Sequence, residues 1–162
     1  MNASSRVLLF GGLALAAFSM FYGVYYALFV EHQKLDGMGS SLTTSFVRAA
    51  ERREPESQAA MESYVVTKFE YVRQVDSHSH WIGLAMLMIV LGAAFDAVAF
   101  REPLRLILAG GLLAGSVLFP LGVILQTVDR GPGARALAIA GSGLVIASLA
   151  GMALGFAKSG VD

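Results

Sequence analysis

The chain has 162 residues, of which 56% are hydrophobic and only 15% charged; twelve basic side chains balance twelve acidic ones, and mean hydropathy is +0.63. Soluble domains carry roughly 25% charged residues, so this composition points to a lipid environment. Zero net charge removes the electrostatic footprint of nucleic-acid binding, and the absence of Cys excludes disulfides, iron–sulfur clusters and thiolate metal sites.

Crossing a hydrocarbon core takes about 20 helical residues. Four stretches qualify: 7–30, 81–100, 104–128 and 134–156. The first follows Arg6 like a secretory signal, but its apolar run continues through Phe18, Phe21, Tyr25 and Phe29, beyond an h-region of about 7–15 residues, so it reads as a retained helix. Asp96 and Arg105 fall near span ends, where they can pair or snorkel. Four spans place both termini on one side, while the distribution of basic and acidic residues leaves the sidedness open.

The connection 31–77 holds most of the charged residues and is too long for a structureless loop in a compact protein. From Ser57 to Trp81 there is no Gly or Pro, and Met61, Val65, Phe69 and Val72 recur at helical spacing, which predicts a helix running without a break into the second span. Upstream, Leu42 to Arg53 reads as a shorter amphipathic helix, bounded by Gly37 and Gly39 before it and Pro55 after it. The expected fold is therefore all-α: a single membrane domain, 1–162, forming an integral membrane four-helix bundle with an extramembrane helical hairpin between the first two spans.

Within lipid, helices associate through small residues, because lipid tails already satisfy apolar side chains. Gly111-x-x-x-Gly115 and Gly151-x-x-x-Gly155 predict close packing of the third and fourth spans, with Gly141 and Gly143 extending the small face of the fourth. Pro120 removes a backbone donor from the third span.

All three histidines belong to one membrane face by topology. His32 follows the first span, and His78 and His80 precede Trp81 at the start of the second, with Glu31, Asp36 and Asp76 nearby in sequence. Neutral imidazole ligates haem iron, copper or zinc, and a carboxylate can complete such a site. On a helix His78 and His80 point about 200° apart, so only one can face a bundle interior. His80 is the expected inward residue, on a stripe with Leu84, Leu87, Leu91 and Ala94. His32 ends a second expected seam through Gly11, Leu15, Phe18, Tyr22, Tyr25 and Phe29. The candidate cofactor-binding set is thus His32, His80 and His78, with His32, His80 and Asp76 as the metal-ligating version and haem b or a copper or zinc ion as the group held.

The stretch from His78 to Gly92, His-Ser-His-Trp-Ile-Gly-Leu-Ala-Met-Leu-Met-Ile-Val-Leu-Gly, resembles a pattern in small bacterial four-span membrane proteins of the hydroxylaminobenzene mutase type and in fragments of the haem–copper oxidase catalytic subunit. The oxidase resemblance implies an axial haem ligand at His80 or His78. An oxidase core needs more histidines than the three present here. The resemblance to bacterial families implies the cytoplasmic membrane of a bacterium. Three functional readings follow: an accessory or scaffold protein in the lipid bilayer, joined to a membrane-protein partner or to copies of itself; a haem- or metal-binding redox subunit; and a small membrane isomerase or mutase using His80 as acid or base, oriented by Asp76 or Glu31.

Overall fold

The computed structural model describes residues 1–129 and 131–159. Among these residues there is no strand. The helices are α1 (Ala3–Phe29), α2 (Glu31–Ala50), α3 (Glu54–Ala94), α4 (Glu102–Leu125) and α5 (Pro132–Ser159), with a 3-10 turn at Phe95–Ala97. Four of them, all but α2, are long and apolar enough to cross a membrane.

α3 is the unbroken rod expected from the breaker-free run, and it starts a turn earlier than Ser57. Pro55 is not a stop after α2. It lies in the first turn of α3, where its missing N–H would have had no helical acceptor. The upstream helix is a larger correction: α2 begins at Glu31 and runs straight through Gly37 and Gly39, the residues read as breakers. Glycine inside a helix costs only about 0.5–1 kcal/mol, and helical hydrogen bonding carries over from α1 through Val30, whose N–H donates to the Tyr26 carbonyl and whose carbonyl accepts from Lys34 N–H.

By packing, the chain separates into two compact units, Met1–Met20 with Asp76–Asp162, and Phe21–Val75. In the first, α4 and α5 touch along their lengths. A Cβ built on Gly115 would lie 2.7 Å from the Gly141 carbonyl oxygen; on Gly122 it would meet the Ala138 backbone, and on Gly141 the Phe119 backbone. Gly111 is covered by the Ser148 hydroxyl and Gly151 by the Leu108 side chain. Gly155 packs differently from expectation. Its neighbours are Val98 and Phe100 in the connection before α4, and its carbonyl accepts the Ala99 N–H at 3.1 Å. α1 and α3 meet through a pair that the sequence reading did not single out: Gly12 against the Ala85 carbonyl, and Gly92 against the Leu9 backbone.

The start of α1 is tied down by charge-assisted hydrogen bonds. Ser4 N–H, one of the orphan donors of the first turn, donates to a Glu102 carboxylate oxygen at 2.8 Å, and the Ser5 hydroxyl donates to Asp96 at 2.8 Å. Arg105 is buried; it pairs with Glu102 at 2.9 Å and donates to the Phe95 carbonyl at 3.2 Å, so its charge at the start of α4 has a carboxylate partner, while its Nε has no hydrogen-bond acceptor among the described residues.

In the second unit α2 and the first part of α3 form a hairpin whose seam is small and hydroxylic. The Ser57 hydroxyl donates to the Ser45 carbonyl at 2.9 Å and lies 3.2 Å from the Ser45 hydroxyl; the Ser41 hydroxyl donates to Ser63 at 3.3 Å; Gly37 faces Thr67. The turn between the helices is a Schellman motif. Arg53 N–H donates to the Arg48 carbonyl and Arg52 N–H to the Ala49 carbonyl, with Arg52 at φ 59° in the position that usually holds Gly. Around it Arg48, Glu51, Arg53 and Glu56 form a surface ion-pair cluster, and the Arg48 hydrogen bond holds the Glu51 carboxyl below its ordinary value.

Candidate functional site

The three histidines divide between the units. His32 belongs to Phe21–Val75 and is exposed, while His78, His80 and Asp76 belong to the other unit. Among the described residues no group of three His, Asp or Glu side chains comes together in a way that could hold a metal ion.

The inward residue is His78, not His80. The Ser19 hydroxyl lies 3.1 Å from His78 Nδ1 and 3.2 Å from the His78 carbonyl oxygen, and Ser19 is fully buried. Next to it, buried Ser77 donates to the Pro120 carbonyl at 3.1 Å. Pro120 lacks the N–H that the Ser116 carbonyl would accept in a regular helix, yet α4 continues through it. His80 is exposed, and its ring rests on Phe119 with centroids 4.7 Å apart. The buried stripe of α3 is Ser77, Trp81, Ala85, Met88 and Gly92, turned about 100° from the leucine stripe expected from hydrophobic spacing. The seam expected on α1 shifts in the same way. Ser4, Ser5, Leu8, Leu15 and Ser19 are buried, whereas Phe18, Tyr25, Phe29 and His32 are exposed.

Leu15, Phe18 and Trp81 instead line a groove of about 510 Å³ whose other walls are Gly11, Ala14, Leu113, Val117 and Leu121. The lining is entirely apolar, and Phe18 meets the Trp81 ring edge-on at 5.0 Å. It holds no acid, base or nucleophile.

The Phe21–Val75 unit carries the polar chemistry. Tyr22 donates to Gln74, Tyr71 to Glu31 at 3.3 Å, and Lys34 pairs with Glu70 at 2.6 Å; the Tyr26 ring sits between those of Tyr22 and Tyr71, each 6.4 Å away. These contacts tie α1, α2 and α3 together. They use up the acids Glu31 and Glu70 internally.

Several large apolar side chains of the hairpin are exposed among polar ones such as Asp36, Thr44 and Glu62. Phe46 is 65% exposed and Val65 57%, and Leu35, Val47, Met61 and Val72 are exposed with them. The Met61, Val65 and Val72 positions that identified the helix thus face away from its partner helix, while the hydroxyl-bearing residues form the contact. A sequence signal for this existed, since Gly37, Ser41 and Ser45 recur every four residues.

No family model matches the chain, and neither a curated protein nor a solved structure does.

Proposed function

We propose that this protein is an integral membrane accessory or scaffold protein. In this reading α1, the second half of α3, α4 and α5 span the bilayer as a four-helix bundle, and the α2–α3 hairpin stands outside it as a docking element for a membrane-protein partner. One observation carries the reading: the hairpin closes on hydroxyls and turns its large apolar side chains outward. In water such a surface favours association, and contiguous exposed apolar side chains mark interaction sites.

Native-gel migration of membranes solubilised in mild detergent tests it. The full chain is expected to run in an assembly larger than its 17.1 kDa monomer, and Phe46→Asp to run smaller without a loss of melting temperature. Monomeric migration of both would overturn the docking role.

A further inference from the structure

Within the unit formed by Met1–Met20 and Asp76–Asp162, the start of α1, the connection before α4 and the end of α5 meet at one end. Ser4 and Ser5 bond to Glu102 and Asp96, Ala99 N–H donates to the Gly155 carbonyl, and Lys158 Nζ stands 5.5 Å from the centre of the Phe100 ring. The charges at this end divide into two groups. Both acids are engaged internally: Asp96 accepts from the Ser5 hydroxyl and the Asn2 N–H, and Glu102 accepts from Ser4 and pairs with buried Arg105. Arg6, Arg101 and Lys158 are exposed, and none of them forms an ion pair among the described residues. At the other end of the same unit α4 meets α5 at Gly122 and α3 at Pro120, and there the exposed Arg135 is accompanied by the acids Asp76 and Asp129. Arg130 and Asp162 lie outside the described residues.

The three cations also sit where apolar stretches end. Arg6 directly precedes the run that begins at Val7, Arg101 lies three residues before Leu104, and Lys158 follows the stretch that closes at position 156. In a bilayer these are headgroup positions, where Lys and Arg extend toward lipid phosphates.

We propose that Arg6, Arg101 and Lys158 form a binding surface for the headgroups of anionic phospholipids. The inference rests on the reading that α1, α4 and α5 cross the bilayer, and it adds which lipid this end selects. The donors of the first turn of α1 and the Arg105 guanidinium offset the two carboxylates, so the charge offered outward is positive. Each cation in a headgroup layer favours an anionic lipid about fivefold. The Phe100 ring holds the Lys158 ammonium in place before a lipid arrives, which lowers the ordering cost of binding.

The test melts the full chain in non-ionic detergent with added phosphatidylglycerol or phosphatidylcholine, read by the fluorescence of Trp81, the single tryptophan. Phosphatidylglycerol at ten times its dissociation constant is expected to raise the midpoint by about 3–6 °C, and phosphatidylcholine at the same concentration to leave it in place. Arg6→Gln, Arg101→Gln and Lys158→Gln should each weaken phosphatidylglycerol about fivefold, and the triple variant should lose the increment. Arg135→Gln should keep it. Equal increments from the two lipids, an unchanged increment in the triple variant, its loss in Arg135→Gln, or the same increment from inorganic phosphate would each overturn the proposal. If the increment is absent while Ile107→Cys and Ile146→Cys stay closed to an impermeant maleimide in sealed vesicles, the spans stand and this surface falls. If both positions also label, the membrane reading falls with it.

Discussion

The α4–α5 seam and the α2–α3 seam are both built from small residues, but they are small for different reasons. Between α4 and α5, Gly115, Gly122 and Gly141 let backbone meet backbone, and the surfaces facing away are as apolar as the contact itself, with Ile107 69% exposed and Ile146 67%. Between α2 and α3, Ser41, Ser45, Ser57 and Ser63 meet through hydroxyls while Phe46 and Val65 face outward. In a lipid phase, apolar character does not distinguish inside from outside, so close approach alone selects the contact. The hairpin also closes on small residues, in a segment rich in charge, and leaves apolar side chains such as Phe46 and Val65 exposed.

The largest effect that would break this comparison is expected at the glycines that meet backbone. Gly122→Leu and Gly141→Leu must displace the Ala138 and Phe119 backbones, which no rotamer change can relieve, and should cost about 3 kcal/mol or more. Gly143→Leu meets nothing within 4 Å and should melt like the unmodified protein. Thermal unfolding in detergent reads all three; Leu is a better helix former than Gly, so propensity cannot account for a loss, and an equal loss at Gly143 would show that the backbone contacts at Gly122 and Gly141 do not set the penalty. In the other seam, Ser45→Val removes a hydroxyl pair from a buried position and should cost roughly 1 kcal/mol, seen as faster amide exchange across α2. No change in exchange would mean the seam is held by something other than its hydroxyls.

Smaller effects sharpen the picture of the turn. Arg52→Gly should stabilise the hairpin by about 1 kcal/mol, since Gly bears no Cβ penalty at positive φ. A loss on the same amide-exchange measurement would contradict that. The Glu51 carboxyl is held below its ordinary value by Arg48, so its contribution is present above the usual carboxylate range and fades as pH falls through the lowered value. Exposure makes this the weakest effect, and Glu51→Gln should flatten the acid dependence of exchange in the turn.

Helix existence was legible in the sequence. The rod through residues 57–81 followed from an absence of Gly and Pro, and the α4–α5 contact from glycine spacing. The inward faces are not legible from hydrophobic periodicity, because nearly every position of these helices is hydrophobic. His80 with Leu84, Leu87 and Leu91 looked like an interior stripe, and the structure buries Ser77, Trp81, Ala85, Met88 and Gly92 instead. Reading the small and hydroxylic positions would have found that stripe, and likewise Ser4, Ser5, Gly12 and Ser19 on α1. Topology places the segments that carry His32, His78 and His80 on one face and carries no information on where their side chains point. His78 and His80 point apart because α3 is continuous through them.

The central claim, that four of the helices lie in lipid and the hairpin does not, is tested most directly by single cysteines in this naturally Cys-free chain. Cys at positions 46 and 65, and at 107 and 146, would be exposed to a membrane-impermeant maleimide in sealed vesicles of each orientation. Positions 46 and 65 should react from one and the same side, and 107 and 146 from neither. Labelling of 107 and 146 at the rate of 46 would contradict the account.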